Sequence, residues 1–193
     1  GTISGNKAAT DGGGVYIYNG TFTLSDKAII TGNTATSGNG GGVYYRGYSS
    51  SHSMTVSGSA KIEKNNAANG GGIYVEDVGS GKANLTGGNI SENNAGSNGG
   101  GIYVSAGDLN LSGNATITQN TATTKGGGVY YIGGSAKMFV SGNVQIIENT
   151  GAGGKANNVY VPYSNNTDGC SPFTIGVDGL DADAKLGITY DSV

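Results

Sequence analysis

The feature that most constrains this chain is a phrase that returns at near-fixed spacing: a run of glycines, then Val or Ile, then Tyr. It reads Gly12-Gly13-Gly14-Val15-Tyr16 and recurs at Gly40 to Tyr44, Gly70 to Tyr74, Gly99 to Tyr103 and Gly126 to Tyr130. A degraded copy stands at Asn157-Asn158-Val159-Tyr160. The Val/Ile positions 15, 43, 73, 102, 129 and 159 lie 28, 30, 29, 27 and 30 residues apart. Such a period marks a stacked repeat, in which a unit buries its apolar face only against its neighbours.

Each repeat carries three short apolar segments. The first is Val15-Tyr16-Ile17 and its copies, the second Phe22-Thr23-Leu24 and its copies. The third centres on Ile30, Ile62, Ile90, Ile117 and Ile146, with Ile3 in a partial first repeat. Alternation of period two and β-branched residues are strand chemistry. Three strands per coil of 27–30 residues, divided by Gly, Asn and Ser turns, predict an all-β parallel β-helix of six to seven coils. At about 4.8 Å per coil, six coils make a rod about 29 Å long. The 39 glycines sit at fixed offsets from apolar residues and therefore read as turns rather than disorder.

Three residues after each core isoleucine comes Asn: Asn6, Asn33, Asn65, Asn93, Asn120 and Asn149. Asn tolerates a left-handed turn, and amides stacked at one corner can bond those above and below, so this row is expected to be a structural ladder. Ala8, Ala35, Ala67, Ala95 and Ala122 follow two residues later, with Gly151 in the last copy, which implies a crowded inward turn.

Length varies mainly between the first and second strands, so insertions are expected along one edge of the rod. The longest runs from Arg46 through Tyr48 to the only histidine, His52. Loops on one face of a solenoid often form its binding surface. The repeats are expected to span 1–161. Residues 162–193, with both prolines (Pro162 and Pro172) and the lone Cys170, read as an irregular last coil and C-terminal cap. Within it, Phe173-Thr174-Ile175 and Leu186-Gly187-Ile188-Thr189 are the expected strands. The opening Gly1 to Asn6 reads as mid-repeat, so a longer parent protein is expected.

Net charge of −3 and a single arginine argue against nucleic-acid binding. No apolar run is long enough for a membrane helix, so no direct membrane insertion is expected. Glycine runs cradle phosphate when a helix follows, but here a strand follows. Glycoside hydrolysis usually needs two carboxylates within reach of one bond. Glu63 and Glu92, each just past the core isoleucine of its coil, are the pair expected at matching offsets of adjacent coils; a solvated surface role is the more ordinary reading of both. Asp178, Asp181 and Asp183 read as a polar turn. No catalytic residue, cofactor or metal is assigned.

The tyrosine row is the best candidate for binding: Tyr16, Tyr44, Tyr74, Tyr103, Tyr130 and Tyr160. If the flanking Val and Ile face inward, these six face outward and form an aromatic strip. The competing reading is a self-stacking ladder that stiffens the rod. Arg46, Tyr48 and His52 on the insertion edge are the second candidate set.

The pairing of Ile-x-x-Asn with a following Gly-Gly-Gly-Val/Ile-Tyr resembles the repeats of chlamydial polymorphic outer membrane proteins. It is more similar still to repeats of large surface proteins of gut Firmicutes. The resemblance implies a right-handed β-helix at a bacterial cell surface or secreted, with adhesion to a host glycan or protein as its work. Further repeats or domains of the parent chain are the other expected partners. The alternatives are a structural spacer of a surface array and a polysaccharide-degrading enzyme with unrecognised catalytic loops.

Overall fold

The computed structural model describes residues 1–77, 82–132, 137–161 and 173–190. Pro162, Cys170, Pro172 and parts of two insertions lie outside the described residues. The chain winds as an all-β parallel solenoid. Every strand pairs in parallel with its equivalent one coil away, building sheets of seven, five, seven and six strands. One coil shows the plan: Ile29–Thr31, Thr34–Ala35, Val43–Gly47 and Ser53–Val56. We call their sheets the isoleucine, alanine, tyrosine and fourth sheets. Five turns contribute a strand to all four sheets. In the sixth, the alanine strand is reduced to a bridge between Thr121 and Thr150, followed by a short 3-10 turn at Ala152–Gly154.

The pattern predicts three strands per coil, and the structure has four. The extra strand is two residues long and coincides with the expected crowded turn: Ala35, Ala67, Ala95 and Ala122 are its inward residues, all buried. A two-residue strand is too short to show alternation in sequence. The predicted strand over Leu186 to Thr189 is also two strands. Lys185–Leu186 joins the isoleucine sheet and Ile188–Tyr190 the tyrosine sheet, with Gly187 alone between them. Phe173–Leu180 extends the fourth sheet, as expected for Phe173 to Ile175.

Register puts like on like. Ile3, Ile30, Ile62, Ile90, Ile117 and Ile146 form one interior column. Val43, Ile73, Ile102 and Val129 form another, facing Met54, Ala83, Leu109 and Met138 across the core. All of these except the end residue Ile3 are fully or almost fully buried. A large aliphatic side chain held this way contributes about 1.5–3 kcal/mol relative to exposure.

At the ladder corner it is not the Asn that turns left-handed but the residue before it: Gly5, Gly32, Lys64, Glu92, Gln119 and Glu148, with φ from 54° to 66°. Each of the three glycines has its own cause. Gly70 has φ 61°, and a Cβ there would lie 2.9 Å from the Tyr74 Cβ. A Cβ on Gly71 would meet the Asn94 carbonyl at 2.4 Å, and one on Gly72 would meet the Asn93 amide nitrogen at 3.0 Å. Gly70 thus supplies a left-handed turn, and Gly71 and Gly72 leave room for the next coil, whose Asn94 and Gly101 carbonyls a Cβ would meet at 2.4 and 2.6 Å.

Candidate functional site

Both rows singled out in the sequence are built in the structure, in opposite settings. The asparagines are interior. Asn33, Asn65, Asn93, Asn120 and Asn149 are buried, and Asn6 at the end is exposed. The backbone N–H and the Nδ2 of Asn65 both donate to Oδ1 of Asn93, at 3.0 Å each. The second hydrogen of the Asn65 amide goes to the Ile30 carbonyl at 3.0 Å. The pattern repeats from Asn6 through Asn149, and every buried amide of this column is satisfied. The column does not stop at Asn149. Its N–H and Nδ2 donate to Oδ1 of Asn158, at 3.0 Å each. Sequence reasoning missed Asn158, because it occupies the place of the third glycine in the degraded repeat rather than the ladder place.

The tyrosines lie on the outer side of the tyrosine sheet, between inward Val and Ile. Their rings stack face to face along the rod, with centroids 4.9–5.4 Å apart and interplanar angles of 3–16°. The strip is therefore not uniformly exposed. Tyr16 at one end is 52% exposed, Tyr44 only 4% and Tyr160 only 2%. Tyr74, Tyr103 and Tyr130 are half-buried. Each inner ring covers the faces of its neighbours, so edges and phenol groups are what the inner strip offers outward. Burial raises the pKa of the Tyr44, Tyr74 and Tyr103 phenols. Tyr103 is pushed up to about 12, by burial first and then by its neighbours Tyr74 and Tyr130. Burial also raises Tyr44, helped by its 2.5 Å hydrogen bond to the Glu76 carboxylate and by that charge. At the other end, Lys125 Nζ donates to the Tyr160 hydroxyl at 2.6 Å and lies over its ring.

Beside the strip, a second outward row brings Tyr18, Arg46 and Glu76 into register. Arg46 pairs with Glu76 at 3.4 Å and stacks over Tyr48 at 5.0 Å. Tyr48 in turn meets Tyr18, with centroids 5.6 Å apart and a tilt of 55°. Tyr18 is 58% exposed and Tyr48 41%. The structure so unites Arg46 and Tyr48 of the insertion edge with the strip, through Tyr44 and Glu76. Tyr18 and Glu76 were absent from the sequence candidates. Tyr18 was within reach of the argument, because two residues past Tyr16 is the same strand face. His52 is half-buried, and its N–H donates to the Ser49 carbonyl at 2.9 Å. Among the described residues no hydrogen bond, ion pair or ring contact joins it to Arg46 or Tyr48.

The expected carboxylate pair is not at matching offsets. Register sets Glu63 beside Ser91, because Ser91 is the residue one past Ile90. Glu92 occupies the left-handed corner position, level with Lys64, and forms an exposed ion pair with it at 3.8 Å. Glu63 instead lies 4.0 Å from Lys61. Among the described residues no group of three His, Cys, Asp or Glu is placed to hold a metal ion. No helix among them is long and apolar enough to cross a membrane.

Stacked parallel coils with matched interior columns define a parallel β-solenoid protein. A family model described as right handed beta helix region matches residues 1–150, and the chain belongs to that family. The family contains both enzymes and proteins without enzymatic activity, so membership does not assign a reaction. Comparison with curated proteins and with solved structures found no match.

Proposed function

We propose that this chain is a non-enzymatic adhesion or interaction module of a bacterial surface protein, at the cell surface or secreted, binding a host glycan or protein. The setting is that of the gut Firmicutes surface proteins and chlamydial outer membrane proteins whose repeats its motifs resemble. One observation carries the reading: the half-buried rings of Tyr74, Tyr103 and Tyr130 lie on the same sheet as the exposed Tyr18 and Tyr48 and the half-buried Arg46 between them. Aromatic edges and phenol hydroxyls beside a guanidinium suit a ligand that lies along the rod, with apolar patches and hydroxyl or carbonyl groups in alternation.

The test is retention of the labelled chain on a mixed array of host and plant glycans and mucin. Specific retention that is lost in a folded Tyr74→Ser/Tyr103→Ser variant, or in Tyr48→Ser, supports the proposal. Retention unchanged in all these variants removes this surface from it. The second reading, a structural spacer, is favoured by the stacking itself: inner ring faces that cover one another are unavailable to a sugar face. It predicts no ligand and a loss of stiffness or stability when the stack is cut.

A further inference from the structure

The chain holds four Asn-Gly pairs: Asn19-Gly20, Asn39-Gly40, Asn69-Gly70 and Asn98-Gly99. Such a pair carries a reaction of its own. The glycine backbone nitrogen gives up its proton to base and attacks Cγ of the asparagine. The N–Cγ bond forms, the Cγ–Nδ2 bond breaks and ammonia leaves, which closes a five-membered succinimide. Water then opens the ring at either carbonyl and leaves an aspartyl or an isoaspartyl residue. Glycine favours the attack because it has no Cβ to block it. The reaction needs a free glycine nitrogen, a free side-chain amide and room for the ring.

The fold withholds these from three of the pairs. Asn39-Gly40, Asn69-Gly70 and Asn98-Gly99 open the glycine runs of successive coils. The N–H groups of Gly40, Gly70 and Gly99 donate to the carbonyls of Asn69, Asn98 and Lys125, at 3.0–3.1 Å. The asparagine side chains are tied as well. Nδ2 of Asn69 donates to Oδ1 of Asn39 at 3.0 Å, Oδ1 of Asn69 accepts the Asn98 N–H at 3.2 Å, and Nδ2 of Asn98 donates to the Ser97 hydroxyl at 3.1 Å. All three glycines are buried, and a Cβ on each would lie 2.4–2.7 Å from the carbonyl oxygen three residues on.

Asn19-Gly20 is the opposite case. It forms the turn between Val15–Tyr18 and Thr21–Leu24, on the edge of the rod that carries the insertions. Asn19 is exposed and has φ 64°. Gly20 has φ 104°, and a Cβ there would meet nothing within 4 Å. The Asn19 N–H donates to the Arg46 carbonyl at 2.9 Å. Among the described residues neither the Asn19 amide nor the Gly20 N–H makes a hydrogen bond.

We propose that Asn19 is a self-modification site, which converts to aspartate or isoaspartate with water as the only co-reactant while the stacked coils protect the other three pairs. The place gives the change a consequence. Tyr18, the preceding residue, is in register with Arg46 and in ring contact with Tyr48. Conversion sets a new carboxylate beside that exposed aromatic edge, and the isoaspartyl product adds a backbone carbon to the turn. The chain thus acquires a charge at this edge as it ages. The assignment holds whether or not the edge binds a ligand.

The test ages the chain at mildly alkaline pH, natively and in urea, and follows all four pairs by peptide mass spectrometry that separates aspartyl from isoaspartyl forms. Local opening is easiest where fewest bonds hold the backbone, so in the native chain Asn19 should convert about tenfold or more faster than Asn39, Asn69 and Asn98. In urea the four rates should converge. Asn19→Gln should abolish the acidic species that accumulates first on ion exchange. Gln119 already holds φ 56° elsewhere in the chain, so the turn tolerates this residue. Native rates that are equal at all four pairs overturn the proposal. So does a native Asn19 as slow as the other three relative to urea, or an acidic species that Asn19→Gln leaves unchanged.

Discussion

The asparagine column and the tyrosine column each place one residue per coil in register, yet they do opposite things with their side chains. The asparagine amides sit inside a corner, and each buried one bonds to the coil above and the coil below. The tyrosine rings sit outside, hold each other by their faces and leave their edges to solvent and to Glu76 or Lys125. Recurrence in a repeat thus measures stacking, not purpose. What separates structure from candidate function is whether the stacked group is saturated by its own copies. The asparagines are; the tyrosines are only on their faces.

The sharpest way to break this contrast is at the centre of the interior column. Asn93→Ala would take the acceptor from the Asn65 N–H and from one Asn65 amide hydrogen, and the amide donor from the Ile62 carbonyl, in a buried site. At about 1–3 kcal/mol for each such group, the expected loss is about 3–6 kcal/mol, read by urea denaturation. A loss below about 1 kcal/mol would mean that the amides are not the bonds that hold the corner.

A smaller effect is expected outside. Tyr103→Ala removes two ring stacks, with Tyr74 and Tyr130, and some burial, for a loss of about 2 kcal/mol. The same denaturation series compares the two directly. If Tyr103→Ala costs as much as Asn93→Ala, the tyrosine column is a structural beam and the spacer reading gains.

The smallest effect separates the columns by pH, since the asparagines do not titrate. The folded Tyr103 phenol ionises near 12 rather than at its ordinary 10.0. A pKa raised on folding supports stability fully below pH 10, and that support is lost as pH rises through about 12. Tyr44 and Tyr74 shift in the same direction, with burial the leading cause in both. Phenolate absorbance should therefore rise above pH 10 together with a fall in stability, and Tyr103→Phe should remove part of that fall. Phenol titration complete near pH 10 with stability unchanged would count against a buried stack.

Much of this was legible in the chain itself. The spacing of the Val and Ile positions, the isoleucine positions and the Asn three residues on specify a stacked parallel helix, because side-chain period and coil length are local properties. The tyrosines were legible as an outward row for the same reason. The alanine strand was not, since two residues carry no period. The offset of Glu92 was legible, since it stands two residues past Ile90 while Glu63 stands one past Ile62; only its left-handed corner conformation needed the structure. Tyr18 and Glu76 join the candidate surface only through contacts made between coils.

By itself, then, the sequence determined the repeat, the inward columns and the positions of Asn and Tyr. Only the tertiary structure decided that the rings cover one another, that the residue before each ladder Asn turns left-handed, and that Asn158 extends the asparagine column. Those outcomes depend on the orientation of peptide planes and rings between coils 27–30 residues apart, and no local pattern specifies that orientation.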